Sequence, residues 1–369
     1  MFKTDLEYPR KRLLEWYRVK QRDLPWRRSR NPYHIWVSEV MLQQTQVNTV
    51  LSYYRRFIKA FPSVERLAAA DLQSVLKLWE GLGYYARARN LHRAAQRVVQ
   101  DFKAKIPDCW AAFRGLPGVG DYIAAAVLSI AFNQPCAVVD GNVKRVLARL
   151  QKISAPVNQP QSNRIFKAAA DQLLDERQPG TFNQAIMELG ALICRPRNPA
   201  CEACPLNQRC QAYRSRQVPD FPKRKKRVAT PLYHIAVGVV FKNNRVLITQ
   251  RKPEGLLGGL WEFPGGKIKD GESAAAACIR EIKEEANLVV EIDQHLTQVK
   301  HAYTHFKIIM EVFCCKYVSG RVYLRGPVAF RWIRIDEYQK FPFPRANHKF
   351  IPMLKDLQLT SDNGKPWLT

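Results

Sequence analysis

Apolar residues recur at helical spacing through the first two hundred residues, and at alternating spacing from about His234 onward. Leu13, Leu14, Trp16 and Tyr17 predict a helix over 10–20, which the break Leu24-Pro25-Trp26 ends. The next run, Ile35 to Val47, is apolar apart from Glu39 and three glutamines, Gln43, Gln44 and Gln46. Its spacing predicts a helix capped by Ser38 or the preceding turn, with Glu39 in or near the first turn. Helical patterns follow over 50–61, 72–79, 161–174 and 181–192, and on both sides of Leu116-Pro117-Gly118-Val119-Gly120. Beyond the helices, His234–Phe241, Val246–Gln250 and Ile308–Tyr317 read as strands, the first two joined by a turn at Asn243-Asn244.

Two periodicities predict two domains, an all-α one and an α+β one. Between them Gln217–Pro231 carries three prolines and the run Lys223-Arg224-Lys225-Lys226-Arg227, the composition of an extended, self-repelling linker. The expected partition is 1–215, a linker at 216–231, and 232–369.

Chemistry enters at the glycines. Gly118 and Gly120 supply the backbone freedom for a tight turn between packed helices and leave amide groups open at the start of the next helix, where a phosphate is favoured. Twenty residues past Gly120 stands Asp140, in Val138-Val139-Asp140-Gly141-Asn142, just before a helix beginning near Val143. Glu39 is a candidate general acid, its carboxyl pushed up by burial among Trp36, Val40 and Met41. At Gly81-Leu82-Gly83-Tyr84-Tyr85-Ala86-Arg87-Ala88-Arg89, tyrosines adjoin arginines that could stack on bases and neutralise phosphates.

The formal net charge of +27 over 369 residues points to a polyanionic partner. No apolar run nears the length of a membrane span, and the N-terminus lacks the apolar core of a signal peptide, so a cytoplasmic protein is expected. Of nine cysteines, four crowd together as Cys194-x6-Cys201-x2-Cys204-x5-Cys210, and the scattered ones read as core residues. Physics alone allows the four thiolates either tetrahedral zinc or a [4Fe–4S] cluster.

A third pattern is Gly266-x5-Glu272-x7-Arg280-Glu281-Ile282-Lys283-Glu284-Glu285-Ala286-Asn287. Glu281, Glu284 and Glu285 fall at i, i+3 and i+4, so they share a helix face and repel unless a cation such as Mg²⁺ compensates.

Together the three motifs resemble the MutY-type adenine DNA glycosylases over nearly the whole chain. That resemblance implies a multidomain protein: a helix–hairpin–helix glycosylase domain with an iron–sulfur loop, then a Nudix-like domain. It implies a [4Fe–4S] cluster on Cys194, Cys201, Cys204 and Cys210, and duplex DNA with adenine opposite 8-oxoguanine or guanine as substrate. It makes Glu39 the acid that protonates adenine and Asp140 the carboxylate that stabilises or captures the sugar cation. Asn142 would support Asp140, and Tyr122 would lie against the reacting sugar. Gln43, Gln44, Tyr84, Arg87 and the hairpin Leu116, Gly118, Val119 and Gly120 would contact DNA. Tyr303-Thr304-His305 stands where the family has Phe-Ser-His, the motif that reads 8-oxoguanine. Asn287 replaces the Nudix glycine, and Asn tolerates a left-handed backbone best among the other residues. Endonuclease III-type lyases share the hairpin, the aspartate and the cysteines, but they require a lysine where this chain has Tyr122. A monomeric, monofunctional glycosylase is therefore expected. Weak Mg²⁺ binding at Glu281, Glu284 and Glu285, with hydrolysis absent or residual, is expected; the alternative is a bifunctional protein whose Nudix-like domain also hydrolyses nucleotides.

Overall fold

The structure is a computed structural model that describes residues 6–226 and 229–355. Arg227 and Val228 of the linker, and the two chain ends, lie outside the described residues. The chain divides into two compact units, one of residues 6–69 and 90–226, the other of residues 70–89 and 229–355.

The first unit is helical. Its core gathers Leu13, Leu14 and Tyr17 with Val143, Leu147, Phe166, Phe182, Ile186 and Leu189. Helix Asp121–Phe132 lies at the centre, buried from Ile123 to Ser129, and its Ala124-Ala125-Ala126 run lets neighbours approach closely. Helices Pro32–Leu42 and Pro179–Leu192 both pack on it, and Pro179–Leu192 also meets Gly141–Leu150.

The second run starts earlier than the sequence predicts. Asn31 is the N-cap, its side chain accepting from the amides of Tyr33 and His34, and Pro32 occupies the first helical position. Helix Pro32–Leu42 therefore places Glu39 in its last turns rather than its first, and Ser38 is buried, bonding back to the Ile35 carbonyl at 2.7 Å. Gln43 and Gln44 lie past the helix end, with Gln44 left-handed at φ 56°, and Gln46 precedes the next helix, Val47–Ala60. The glutamines are turn residues, not a polar helix face.

The second unit is built on a seven-stranded sheet. Strands β1 (Leu232–Lys242), β2 (Arg245–Gln250), β3 (Trp261–Glu262), β4 (Gly265–Lys267), β5 (Val289–Ala302), β6 (Lys307–Ser319) and β7 (Ala329–Ile333) run in order β3-β2-β1-β6-β5, with β4 on β1 and β7 on β2. The β1–β6 pair is parallel and β1–β2 antiparallel. Asn243 and Asn244 both take positive φ, as a two-residue hairpin turn requires. Helix Ala274–Ala286 buries Ala277, Cys278, Ile282 and Ala286, and Asn287 ends it in the left-handed conformation at φ 58°. The substitution of the family glycine thus keeps the turn.

Residues 70–89 belong with this sheet, which differs from a partition at the linker alone. In helix Leu72–Trp79 and just after it, Lys77 donates to the Phe341 carbonyl at 2.9 Å. Glu80 accepts from the Phe343 amide at 2.7 Å and His348 at 2.9 Å. Trp261 donates to Gln73 at 2.9 Å and Arg89 to the Gly258 carbonyl at 2.7 Å. Hydrophobic period shows that 72–79 is a helix but not which core it joins. Cys278, Cys314 and Cys315 are buried as expected, whereas Cys109 is exposed.

Candidate active site

Glu39, Tyr122, Asp140 and Asn142 line one pocket of about 140 Å³ in the helical unit. Trp26, Ile35, Leu42, Ile130 and Met187 give it apolar walls. Glu39 is 5% exposed. Burial lifts its carboxyl to about 7, against the hydrogen bond from Tyr122 and with help from the Asp140 charge. The Tyr122 hydroxyl donates to Glu39 Oε2 at 2.6 Å. Burial and the two neighbouring carboxylates push the Tyr122 phenol well above its ordinary range, so it stays a donor.

Asp140 is the N-cap of Gly141–Leu150, its Oδ1 accepting from the Val143 amide at 2.7 Å. Asn142 Nδ2 donates to Oδ2 at 3.1 Å. Burial raises Asp140 too, but these donors, the backbone of Asn142 and the Arg145 charge oppose it. Capping and a functional carboxylate are one arrangement here, because the helix N-terminus stabilises the negative charge. The pocket thus pairs a carboxyl that keeps its proton near neutrality with a carboxylate held by donors.

Gly190 makes that arrangement possible. A Cβ there would stand 2.6 Å from Asn142 Cβ, so only glycine lets helix Pro179–Leu192 close on the Asp140 loop. Arg145, buried, ties the loop down, donating to Asn142 Oδ1 and the Gly190 carbonyl at 2.7 Å each, and to the Cys194 carbonyl at 2.6 Å.

Sequence reasoning missed a further charged group in the pocket, Glu188. Glu188 is 1% exposed, and its carboxylate is bonded by Arg22 at 2.7 and 2.8 Å and by Arg27 at 2.9 Å. Burial would raise Glu188, but the two guanidiniums outweigh it and hold the acid down at about 2. The available signals were a lone acid in an apolar helix and two arginines flanking Leu24-Pro25-Trp26.

The cysteine loop docks on Gly141–Leu150. Arg149 donates to Cys194 Sγ at 3.4 Å and to the Arg195 carbonyl at 2.8 Å, and Cys210 Sγ donates to the Arg149 carbonyl at 3.4 Å. Burial raises Cys201, Cys204 and Cys210, and each thiol also feels the charge of Cys194, which marks them as neighbours. A cationic, sulfur-facing cradle suits a thiolate-ligated cluster. Among the described residues no three His, Cys, Asp or Glu side chains are grouped to hold a metal ion. The identity of the group therefore rests on the cysteine spacing and the family match below.

The DNA-contact candidates divide. Leu116 and Val119 are buried at the hairpin, so only backbone is offered there. Gly118, at φ 74°, lies so close to Asn90 that a Cβ would stand 2.5 Å from it. Gly120 is the N-cap of Asp121–Phe132 and faces open space. In the other unit, Tyr84 sits at φ 50° with its ring 6.1 Å from His305. Thr304 and His305 are exposed, while Tyr303 turns in and stacks on Phe306 at 4.6 Å. Arg87 departs from expectation. Its guanidinium donates to the Gly83 carbonyl at 3.0 Å and lies over the Trp79 and Tyr84 rings at 5.5 and 5.3 Å. It braces the Tyr84 turn, because the Gly81–Gly83 turn leaves carbonyls that need a buried donor.

In the Nudix motif Arg280 takes the place expected of a cation for two of the glutamates. It bonds Glu272 at 2.7 Å, Glu281 at 2.7 Å and Glu284 at 3.1 Å. Glu285 turns inward to the Gly265 amide at 3.2 Å, raised to about 7 by burial and by Glu262.

Residues 37–170 match the family described as HhH-GPD superfamily base excision DNA repair protein. Residues 194–210 match the iron-sulfur binding domain of endonuclease III, and 236–353 the NUDIX domain. The adenine DNA glycosylase of Mus musculus is 36% identical, the alignment covering 96% of this chain and 79% of that protein. The chain belongs to the adenine DNA glycosylase family. The human adenine DNA glycosylase is 34% identical over 94% of this chain and 74% of its own length. Among solved structures, a thermostable thymine-DNA glycosylase superposes with a TM-score of 0.53 at 30% identity, covering 57% of this chain and 98% of that one. A trapped endonuclease III–DNA covalent intermediate, 21% identical with a TM-score of 0.50, shares the fold over 58% of this chain and 99% of its own. The match over 194–210 shows an endonuclease III-type [4Fe–4S] binding domain that spans the cysteine cluster. No helix among the described residues is long and apolar enough to cross a membrane.

Proposed function

We propose that the chain is a monofunctional base-excision glycosylase that releases adenine from duplex DNA where it stands opposite 8-oxoguanine or guanine. One observation carries this reading: the buried carboxyl of Glu39, bonded by Tyr122, shares a single-base pocket with the capped carboxylate of Asp140.

Adenine reaches such a pocket only when flipped out of the duplex. Glu39 gives its proton to a ring nitrogen, making the purine a neutral leaving group as the bond to C1′ breaks. Asp140 faces the resulting oxocarbenium and stabilises it electrostatically or through a transient ester, as carboxylates do in glycoside hydrolysis. Water then adds to C1′, its proton passing to the Glu39 carboxylate, so the acid is restored. Tyr122 positions Glu39, and Asn142 positions Asp140. Glu188, ionised and anchored by Arg22 and Arg27, offers an acceptor for the exocyclic amine of adenine, a donor that guanine lacks at that position. The pocket is lined by no lysine among the described residues, and Tyr122 stands where a lyase has its amine, so no Schiff base is formed.

Cys194, Cys201, Cys204 and Cys210 would hold the cluster, which would cross-link a loop that Arg145 and Arg149 already anchor through its carbonyls. In the second unit the exposed Thr304 and His305, with Tyr84, are assigned to the base opposite adenine; in the first, Gln43, Gln44 and the hairpin amides of Gly118 and Gly120 are assigned to the duplex. The Nudix-like domain serves recognition, with Mg²⁺ held weakly at most by Glu281, Glu284 and Glu285, because Arg280 already neutralises Glu281 and Glu284. The protein works as a cytoplasmic monomer.

Duplexes with adenine opposite 8-oxoguanine, guanine or thymine test the reading, with free base and strand scission measured together. Adenine released from the first two, without scission and without borohydride trapping, is expected. Borohydride-trapped protein–DNA adducts, or release of a different base, would overturn it.

A further inference from the structure

Residues 341–349 of the second unit have no part in the roles above. They open with Phe341-Pro342-Phe343-Pro344, and proline cannot donate to a sheet, so the segment joins no strand. It is firmly held all the same. Phe343 is fully buried and stacks on Phe263 at 5.7 Å, and Ala346 is buried in the same core. The Pro342 carbonyl accepts from the Trp261 amide at 2.9 Å. The groups on either side are met by the 70–89 segment: Lys77 donates to the Phe341 carbonyl at 2.9 Å, and the Phe343 amide donates to Glu80 Oε1 at 2.7 Å.

His348 Nε2 donates to the same Glu80 oxygen at 2.9 Å, and Lys77 donates to Oε2 at 2.6 Å. Burial would raise the Glu80 carboxyl, but His348, Lys77 and the Phe343 amide outweigh it and hold it below its ordinary range, so it stays charged. Four residues on, Tyr84 is reached through a closed turn. There Trp79 Nε1 donates to the Gly83 carbonyl and the Gly81 amide to the Tyr85 hydroxyl, both at 3.1 Å. At its far end the same segment holds the β5–β6 tip. Lys349 Nζ donates to the Lys300 carbonyl at 2.6 Å, and the Tyr303 phenol meets the Ala346 backbone. The Tyr303 amide closes the tip on the Phe306 carbonyl at 2.9 Å. Thr304 and His305 are left exposed, with the His305 ring 6.1 Å from that of Tyr84. One short segment therefore ties Tyr84 and the tip to a common frame. Apolar burial has no direction, whereas a carboxylate accepting from three donors fixes orientation as well as contact.

We propose that Glu80 and His348 are positioning residues for recognition of the base opposite adenine: through residues 341–349 they set the register of Tyr84 against Thr304 and His305. The inference rests on the reading above that these three residues take that base, and it adds what fixes their spacing. 8-Oxoguanine differs from guanine only in the oxygen on C8 and the hydrogen on N7. A reader out of register keeps the contacts that both bases offer and loses those to the added atoms. Glu80 and His348 touch neither base, so they act on the preference between the two duplexes rather than on bond cleavage.

Full-length wild type, Glu80→Ala, His348→Ala and the double variant are compared. Single-turnover adenine release at saturating protein is measured on duplexes with adenine opposite 8-oxoguanine and opposite guanine. The ratio of the two rates should fall about tenfold in Glu80→Ala, within the loss of up to about 10²-fold that a misplacement of about 1 Å brings. His348→Ala should lower the ratio by a smaller factor. The double variant should fall no further than Glu80→Ala, because both residues act through one contact. Glu80→Gln, which keeps an acceptor for the Phe343 amide, should recover part of the ratio. An unchanged ratio in Glu80→Ala, whether both rates hold or both fall together, would overturn the proposal and leave Glu80 a clamp for stability alone. If Glu80→Ala also lowers the thermal midpoint, His348→Ala decides: its ratio must fall while its midpoint and iron content match wild type, or the proposal is refuted. A wild type with no preference between the duplexes would overturn the recognition reading and this proposal with it, whereas a preference that the variants keep overturns the proposal alone.

Discussion

Replacing Glu39 with Gln should stabilise the protein at alkaline pH while removing its activity. The Glu39 carboxyl titrates near 4.5 when solvated and at about 7 in the fold, chiefly because burial disfavours its charge. Between those values the folded state binds more protons than the unfolded one, so stability falls as pH rises through the window and is lowest above it. At about 1.4 kcal/mol per pH unit the penalty reaches about 3 kcal/mol by pH 8. Gln keeps the acceptor for the Tyr122 hydroxyl but never becomes charged. Glu39→Gln should therefore exceed wild type by about 3 kcal/mol at pH 8 and by under about 1 kcal/mol at pH 5. A unit of this size gains roughly 2–4 °C per kcal/mol, so the thermal midpoint should rise by about 6–12 °C at pH 8. Thermal melts followed by circular dichroism at both pH values read this out. A difference equal at the two pH values, or a variant less stable than wild type at pH 8, would refute a buried acid held neutral by its surroundings.

Asp140→Asn should keep mismatch binding but slow base release by about 10³-fold or more, because the cation loses its facing charge. Single-turnover release near the wild-type rate would remove Asp140 from the chemistry. Purified protein should carry iron and sulfide at about four each per chain, and Cys204→Ser should lose both together with DNA binding. Stoichiometric zinc in anaerobically prepared protein would contradict the cluster. With Mg²⁺ and a panel of nucleoside diphosphate derivatives, the full-length protein should turn over more slowly than about 1 s⁻¹, the low end for ordinary enzymes. Faster turnover abolished by Glu284→Gln would show that Arg280 yields its glutamates to metal.

Spacing was what the sequence made legible. Asp140 after the glycine hairpin, the four cysteines, and the Glu272–Glu285 pattern each fix several residues at once, so local geometry leaves little freedom. Asn287 was legible for the same reason, since one residue type suits one backbone angle. What escaped was set by tertiary packing. The start of Pro32–Leu42 was hidden by polar Asn31 and by Pro32, which cap without joining the apolar repeat. Arg87 reads as a DNA contact from its neighbours in sequence, but carbonyls of the Gly81–Gly83 turn claim it. Glu188 gave no motif at all. Its partners lie more than 160 residues away, and only the packing of Pro179–Leu192 brings Arg22 and Arg27 to it. The affiliation of 70–89 with the sheet was equally invisible, because amphipathic period reports a buried face and not its partner.

The central claim is that Glu39 acts as a protonated acid. The pH dependence of single-turnover adenine release, at saturating protein from pH 5.5 to 9, tests it most directly. Release should fall tenfold per pH unit above about 7, where Glu39 loses its proton. A rate that stays flat to pH 9, or rises with pH, would contradict the account.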